Sequence, residues 1–208
     1  MALTILGPPG AGKGTQAKMI AEDTGLVHLS TGDILRDELA RGSELGQKAK
    51  QYMNRGELLP DNLIVTMIED RIREKDGFIL DGFPRTLTQA EALEEIAALD
   101  FAINIALSRE EVIVRLSARR ACAECGRIYN LWFDLPAGNN DELCDNCGIK
   151  LVQRDDDTPA VIEKRFDIYM ADTRPLIEFY REQGILVEVN GAAAREEIFA
   201  QIMRIITT

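Results

Sequence analysis

The chain has 208 residues, of which 46% are hydrophobic and 28% charged, enough apolar content to bury a core of ordinary domain size. Its 24 basic and 35 acidic residues give a formal net charge of -11, which argues against a polyanion-binding protein, because affinity for a phosphate backbone comes from clustered Lys and Arg. No apolar run approaches the roughly 20 residues that span a bilayer. The first seven residues carry no basic segment or small-residue cleavage site, so the expectation is a cytoplasmic protein with no membrane partner.

Residues 3–6 are apolar and β-compatible, and Gly7-Pro8-Pro9-Gly10 cuts them off. A helix follows from Lys13 to Thr24, closed by Gly25. Residues 26–29 form a second strand that carries the only histidine, His28, read as a core or strand-end residue. Residues 30–59 read as helices with no strand. Residues 78–80 form a third strand ending at Asp81-Gly82, residues 101–107 a fourth and residues 185–189 a fifth. Residues 120–155 lose the helical period and gain Cys, Gly, Asn and Asp. Thr158 as N-cap and Pro159 at the first helical position then start a long helix, which Pro175 is expected to bend.

Near-continuous apolar strands separated by helices predict a doubly wound α/β protein with a five-stranded parallel sheet covered on both faces. Such sheets bind ligands beyond the carboxyl ends of their strands. The two stretches that break the alternation read as insertions. The expected division is core at 1–29, 60–118 and 156–208, with insertions at 30–59 and 119–155.

Gly7-Pro8-Pro9-Gly10-Ala11-Gly12-Lys13-Gly14-Thr15 follows the first strand and leads into the first helix, the context a P-loop requires. Its glycines let backbone N–H groups turn inward around phosphate oxygens, and the helix N-terminus adds positive potential. Lys13 is expected to bridge the β- and γ-phosphates of ATP. The general pattern places Ser or Thr directly after the lysine, whereas here Gly14 intervenes before Thr15. Magnesium would therefore lean less on this hydroxyl and more on carboxylates acting through water.

Cys122-x2-Cys125-Gly126 and Cys144-x2-Cys147-Gly148 are separated by 18 residues, a strong zinc signal. The knuckle glycines would let turn N–H groups approach sulfur. Four thiolates close a tetrahedral shell, so the metal would be structural; iron in the same cage and a redox disulfide pair are the alternatives. Leu131, Trp132, Phe133 and Leu135 make too small a cluster to hold the segment, so metal must help. The same motif would suit a P-loop regulator with a nucleic-acid-binding zinc ribbon. Charge opposes that reading, since Arg127, Lys150 and Arg154 face Glu124, Asp134, Asp141, Glu142, Asp145 and Asp155.

The Gly14 variant of the loop resembles that of adenylate kinases, and further segments agree in order and spacing. They are Ser30-Thr31-Gly32-Asp33-Ile34-Leu35-Arg36, Gly56-Glu57-Leu58-Leu59-Pro60-Asp61, Asp81-Gly82-Phe83-Pro84-Arg85 with Gln89, Arg119-Arg120, and Arg154-Asp155-Asp156-Asp157. The resemblance covers essentially the whole chain. It implies phosphoryl transfer from MgATP to AMP giving two ADP, with 30–59 as the AMP-binding insertion and 119–155 as a zinc-held lid. UMP/CMP-type kinases share the loop and acceptor motifs, but usually with a short lid.

Residue by residue, the resemblance puts Gly10, Ala11, Gly12, Lys13, Gly14 and Thr15 on the ATP phosphates. It puts Arg36 and Arg85 on the AMP phosphate, with Thr31, Gly82, Phe83 and Pro84 beside them. Gln89 comes near the adenine of AMP, as does backbone around Glu57, Leu58 and Leu59. Arg119, Arg154 and Arg165 converge on the migrating group, with Asp156 and Asp157 in the same catalytic set and Arg115 a further candidate. Arg154 and Arg165 also serve the AMP side. Asp81 holds magnesium through water, and Ile128 and Tyr129 come close to ATP. Where the family often has a C-terminal lysine near adenine, this chain has Asn190-Gly191-Ala192-Ala193-Ala194, so Ala193 offers only backbone or apolar contact. A phosphate acceptor needs no general base, and the task reduces to positioning and charge neutralisation. A small acidic chain gives no reason to expect more than a monomer.

Overall fold

A computed structural model describes residues 1–137 and 142–207; Asp141, one of the acidic residues of the cysteine-rich segment, lies outside them. The main sheet is parallel throughout, with strands β1 (Ala2–Leu6), β2 (Val27–Ser30), β3 (Phe78–Asp81), β4 (Phe101–Ala106) and the late strand β7 (Leu186–Asn190) in the order β2-β3-β1-β4-β7. β1 lies at the centre and is buried along its whole length. Alternation splits its side chains between two cores. Leu3 and Ile5 join Ala17 and Ile20 of α1 (Lys13–Thr24) and Ile198 and Ile202 of α9 (Arg195–Ile206). Ala2 and Leu6 face the other side, towards α4 (Asp61–Ile72), α5 (Leu87–Ile96) and α8 (Pro175–Glu182). The sheet is apolar on both faces because both are covered.

The connection from β1 leaves towards β2, and that from neighbouring β4 leaves towards β7. The crevice at their carboxyl ends is thus a topological switch point, and the glycine-rich loop exits β1 into it.

Residues 30–59 fold as α2 (Thr31–Ala40) and α3 (Glu44–Asn54). α6 (Arg109–Ser117) leads to a short antiparallel pair, β5 (Arg119–Ala121) and β6 (Ile128–Asn130), within the cysteine-rich segment where the sequence loses its helical period. α7 (Pro159–Ile168) starts at the expected Pro159, although the Thr158 side chain makes no capping hydrogen bond. Pro175 does more than bend this helix. A π-helical turn at Tyr169–Thr173 precedes it, and Arg174 N–H donates to the Tyr169 carbonyl at 2.8 Å. Proline, which has no N–H to give, then occupies the first position of a new helix, α8.

Candidate active site

The loop after β1 accepts few side chains at its start. Gly7 turns at φ +139°, and a Cβ there would lie 2.5 Å from the Ile105 carbonyl oxygen, so glycine alone fits. Gly12, left-handed, is the N-cap of α1 and supplies no capping side chain, so the first amides of the helix stay open to an anion. Lys13 folds back within the loop and donates from Nζ to the carbonyls of Gly7 and Pro8, both at 2.9 Å. Burial brings its ammonium down to about pKa 7. Asp81 opposes that shift, while Arg85, Arg165 and Arg119 add to it.

Asp81 accounts for the departure at Gly14. Its Oδ2 lies 3.0 Å from where a Cβ on residue 14 would stand, so the carboxylate occupies the space a Ser or Thr would need. Burial works against its ionisation, yet the His28 side chain and Lys13 hold its pKa below the ordinary value. His28 Nε2 is 3.5 Å from Asp81 Oδ2, so the only histidine stands beside this carboxylate rather than simply in the core. A carboxylate kept ionised next to the phosphate loop is a donor magnesium takes, either directly or through water.

Across the loop, Lys13, Thr31, Arg36, Glu57, Leu58, Leu59, Gly82, Pro84, Arg85, Gln89, Asp156 and Arg165 line one cleft. Ser30 starts its wall by accepting from Asp33 N–H at 3.3 Å, which caps α2. Thr31 then donates to the Gly82 carbonyl at 2.9 Å, and Arg36 pairs with Asp33 one turn on. Arg85 donates from Nε to the Gly82 carbonyl at 2.7 Å. Its backbone N–H donates to Gln89 Oε1 at 2.8 Å, and Gln89 Nε2 donates to Asp61 Oδ1 at 2.7 Å. Gln89 is thus a strut beneath Arg85 as well as a cleft residue. Phe83 is wholly buried in the apolar core and does not line the cleft, although its neighbours Gly82 and Pro84 do; the Phe83–Pro84 peptide is cis.

The remaining cations approach from α7 and the flanks of the cysteine-rich segment. Arg119 lays its guanidinium on Asp157 in two hydrogen bonds, the Nε one at 2.7 Å. Arg165 donates to Asp156 Oδ2 at 2.8 Å. The side chain of Asp157 is 0% exposed, so it stands behind the arginines and aims them, while Asp156 lines the cleft. Burial brings Arg154 and Arg165 down to about pKa 10, and Arg119 pushes both the same way. Among the described residues, the Arg154 guanidinium has no ion-pair partner within salt-bridge distance. Mutually repelling, partly desolvated cations around a gap are the electrostatic form of a polyanion site.

Other candidates sit elsewhere. Arg115 donates to the Gly191 carbonyl at 2.7 Å and stacks on Phe133, with its guanidinium carbon 5.6 Å from the ring centre. Arg120 donates to the Arg119 carbonyl at 2.8 Å. Ala193 is partly buried against the α1–α9 core. Tyr129 is buried, and its side chain enters the cysteine cage, so β6 can offer a nucleotide only backbone at this position, beside Ile128. Tyr169 and Thr173 line the cleft without any sequence signal; Thr173 donates to the Arg85 carbonyl at 2.9 Å.

The sulfurs of Cys122, Cys125, Cys144 and Cys147 all lie within 4.8 Å of one another. A tetrahedral ion with metal–sulfur bonds of about 2.3 Å needs sulfurs about 3.8 Å apart, so a small repacking accommodates it. Gly126 and Gly148 take the left-handed turn, but their N–H groups donate to the carbonyls of Cys122 and Cys144, at 3.1 and 2.8 Å. The amides that reach sulfur lie inside the knuckles: Cys125 N–H is 3.4 Å from Cys122 Sγ, and the Asn146 and Cys147 amides serve Cys144.

A P-loop at a sheet switch point, faced by arginines across the same cleft, defines a nucleoside monophosphate kinase: both donor and acceptor carry phosphate. The family model for adenylate kinase matches residues 5–185. The adenylate kinase of Methanocella arvoryzae is 47% identical over 210 residues, covering 97% of this chain and 96% of that protein. Those of Archaeoglobus fulgidus and Lachnospira eligens are 46% and 47% identical over 214 residues, each covering 99% of this chain and 98% and 100% of their own. The chain belongs to the adenylate kinase family.

Proposed function

We propose that the protein transfers a phosphoryl group reversibly between ATP and AMP to give two ADP, and so balances adenine nucleotides. The single observation that carries this reading is the convergence of Lys13, Arg36, Arg85 and Arg165 on one cleft at the exit of β1. The P-loop amides and Lys13 grip the ATP phosphates. Arg36 and Arg85 fix the AMP phosphate, with Thr31, Gln89 and backbone at 57–59 beside its base and ribose. Arg119, Arg154 and Arg165 neutralise the migrating group, and Asp156 and Asp157 aim the guanidinium groups. Asp81 would hold Mg2+ through water, and the ion would offset charge on the β- and γ-phosphates.

No side chain is needed to deprotonate the acceptor, because the AMP phosphate is ionised at neutral pH. Residues 30–59 and 119–155 are read as arms that close over AMP and ATP and exclude water, which would otherwise compete for the γ-phosphoryl. Zinc in the four-cysteine cage would stiffen the second arm without entering the chemistry. The acidic surface suits a cytoplasmic monomer with no nucleic-acid partner. Among the described residues, no helix is long and apolar enough to cross a membrane.

A coupled assay of AMP, GMP, CMP and UMP as acceptors tests the reading: AMP is expected to be preferred, and preference for CMP or UMP would replace it with the pyrimidine reading. Lys13→Met and Arg85→Gln should each lower kcat by about a hundredfold to a thousandfold with the fold retained. Near-normal turnover in both would remove their assigned roles.

A further inference from the structure

β6 runs along the edge of the cysteine cage, and its three residues point alternately. Asn130 turns towards the core: its Nδ2 donates to the Arg115 carbonyl at 3.0 Å, and its Oδ1 accepts from Trp132 N–H at 3.0 Å. Tyr129 turns the other way, is buried, and places its hydroxyl 3.5 Å from Cys144 Sγ. The same hydroxyl accepts from Asp145 N–H at 2.9 Å, so its one proton is left for the sulfur. The ring is covered by Arg127, whose guanidinium carbon lies 4.9 Å from its centre and whose Nη2 lies 3.4 Å from Asp145 Oδ2. Among the described residues, no other side chain outside the four cysteines donates a hydrogen bond to a cage sulfur.

From this geometry we infer that Tyr129 is a positioning residue of the metal cage: its hydroxyl donates to the Cys144 thiolate and locks the metal to β6. The inference rests on the proposed reading of the cage as a metal site. Four thiolates around a divalent cation leave a charge of about -2 on the cage, and a buried hydrogen-bond donor to one sulfur withdraws part of it. A tyrosine hydroxyl ordinarily ionises only at about pH 10, so at neutral pH it has a proton to donate. With Asn130 on the opposite face bound to α6, β6 becomes a strut between cage and core. Loss of metal would be felt at the lid's attachment and not merely at its tip.

Tyr129→Phe in the full chain keeps the ring and removes only the donor. Two measurements test it: release of zinc to a chromophoric chelator, and the spectrum of the cobalt-substituted protein. Zinc affinity is expected to fall about tenfold. The thiolate-to-cobalt charge-transfer band should move to lower energy, because a sulfur without its hydrogen bond holds its electrons less tightly. Arg127→Gln, which retains the hydroxyl, should leave the band in place. Faster zinc loss with an unshifted band would mean general loosening and would overturn the inference, as would unchanged retention. A wild-type chain that takes up neither zinc nor cobalt would remove the metal reading itself, and the inference with it.

Discussion

The two segments that stand off the sheet are held together by different physics. α2 and α3 share one apolar cluster with the sheet and its helices: Leu35, Ala49 and Leu59 pack with Ile64, Ile68, Phe83 and Leu93. The cysteine-rich segment forms its own cluster of buried Cys122, Tyr129, Cys144 and Leu151, in which half the members are cage ligands. Trp132, Phe133 and Leu135 are exposed and do not enlarge it. The first arm is an extension of the protein core, so its stability is drawn from the whole domain. The second is a separate small unit that needs a crosslink, as small units generally do. Both deliver cations to the same gap, yet only one should depend on metal.

Stripping the metal should therefore break the symmetry most strongly. Chelation, or Cys144→Ser, is expected to disorder the lid while the sheet keeps its far-UV signal, and Trp132, the chain's only tryptophan, reports the lid by fluorescence. Arg119 and Arg154 flank that segment, so kcat/KM should fall at least about a hundredfold, on the order of 3 kcal/mol of barrier. Binding of AMP alone should change little. A lid whose tryptophan signal and activity survive metal removal would contradict the distinction drawn here.

The gap between the arms has its own signature. Lys13 in the free protein carries a pKa lowered to about 7 by burial, so near pH 8 its amine is largely neutral. A polyphosphate placed beside it favours the charged form, so MgATP binding should take up protons between about pH 7 and 10, approaching one proton near pH 8–9. With that sign, affinity falls as pH rises through the window, by up to about tenfold per unit. Calorimetry in buffers of different ionisation enthalpy measures the uptake. Lys13→Arg, which stays protonated, should abolish it; equal uptake in that variant would assign the proton to another group.

The apolar arm is vulnerable at a contact that involves no ligand. Gly46 in the first turn of α3 lies so close to α2 that a Cβ would stand 2.3 Å from the Glu38 carbonyl carbon. Gly46→Ala should force the helices apart at a cost of about 1–3 kcal/mol, lowering Tm by roughly 3–10 °C. KM for AMP should rise several-fold, while zinc content and KM for ATP hold. A matching rise for ATP would mean that the two arms share their stability after all.

The parts legible in the sequence are those whose chemistry is local. The loop from Gly7 to Thr15 needs glycines within one turn of a lysine, and the two Cys-x2-Cys knuckles need only short spacing. The strands were readable because burial on both faces makes them continuously apolar; their ends moved by one residue, as at Val27 and Ala106. Side-chain direction was not readable where packing decides it. Tyr129 turns to the cage because β6 alternates, Arg115 is taken by the Gly191 carbonyl, and Asp157 is enclosed behind Arg119. Tyr169 and Thr173 reach the cleft from the π-helical turn just ahead of Pro175, and nothing in their residue types announces it.

The smallest effect tests whether the arms are also joined to the transferring machinery from outside. Lys164 on α7 donates to Glu57 Oε1 at 2.7 Å, next along the helix from Arg165, and Glu57 also accepts from Arg55 Nε at 2.8 Å. A Cβ at Gly56 would lie 2.9 Å from Arg165 Cγ, so this corner of the first arm already rests on the helix without the ion pair. Because the pair is exposed, its attraction is screened, and contact rather than charge should fix the corner. Lys164→Ala is accordingly expected to change KM for AMP by no more than about twofold, with the difference vanishing at high salt. A larger, salt-resistant change would make the ion pair a true latch and would place part of the first arm's stability on electrostatics, narrowing its contrast with the lid.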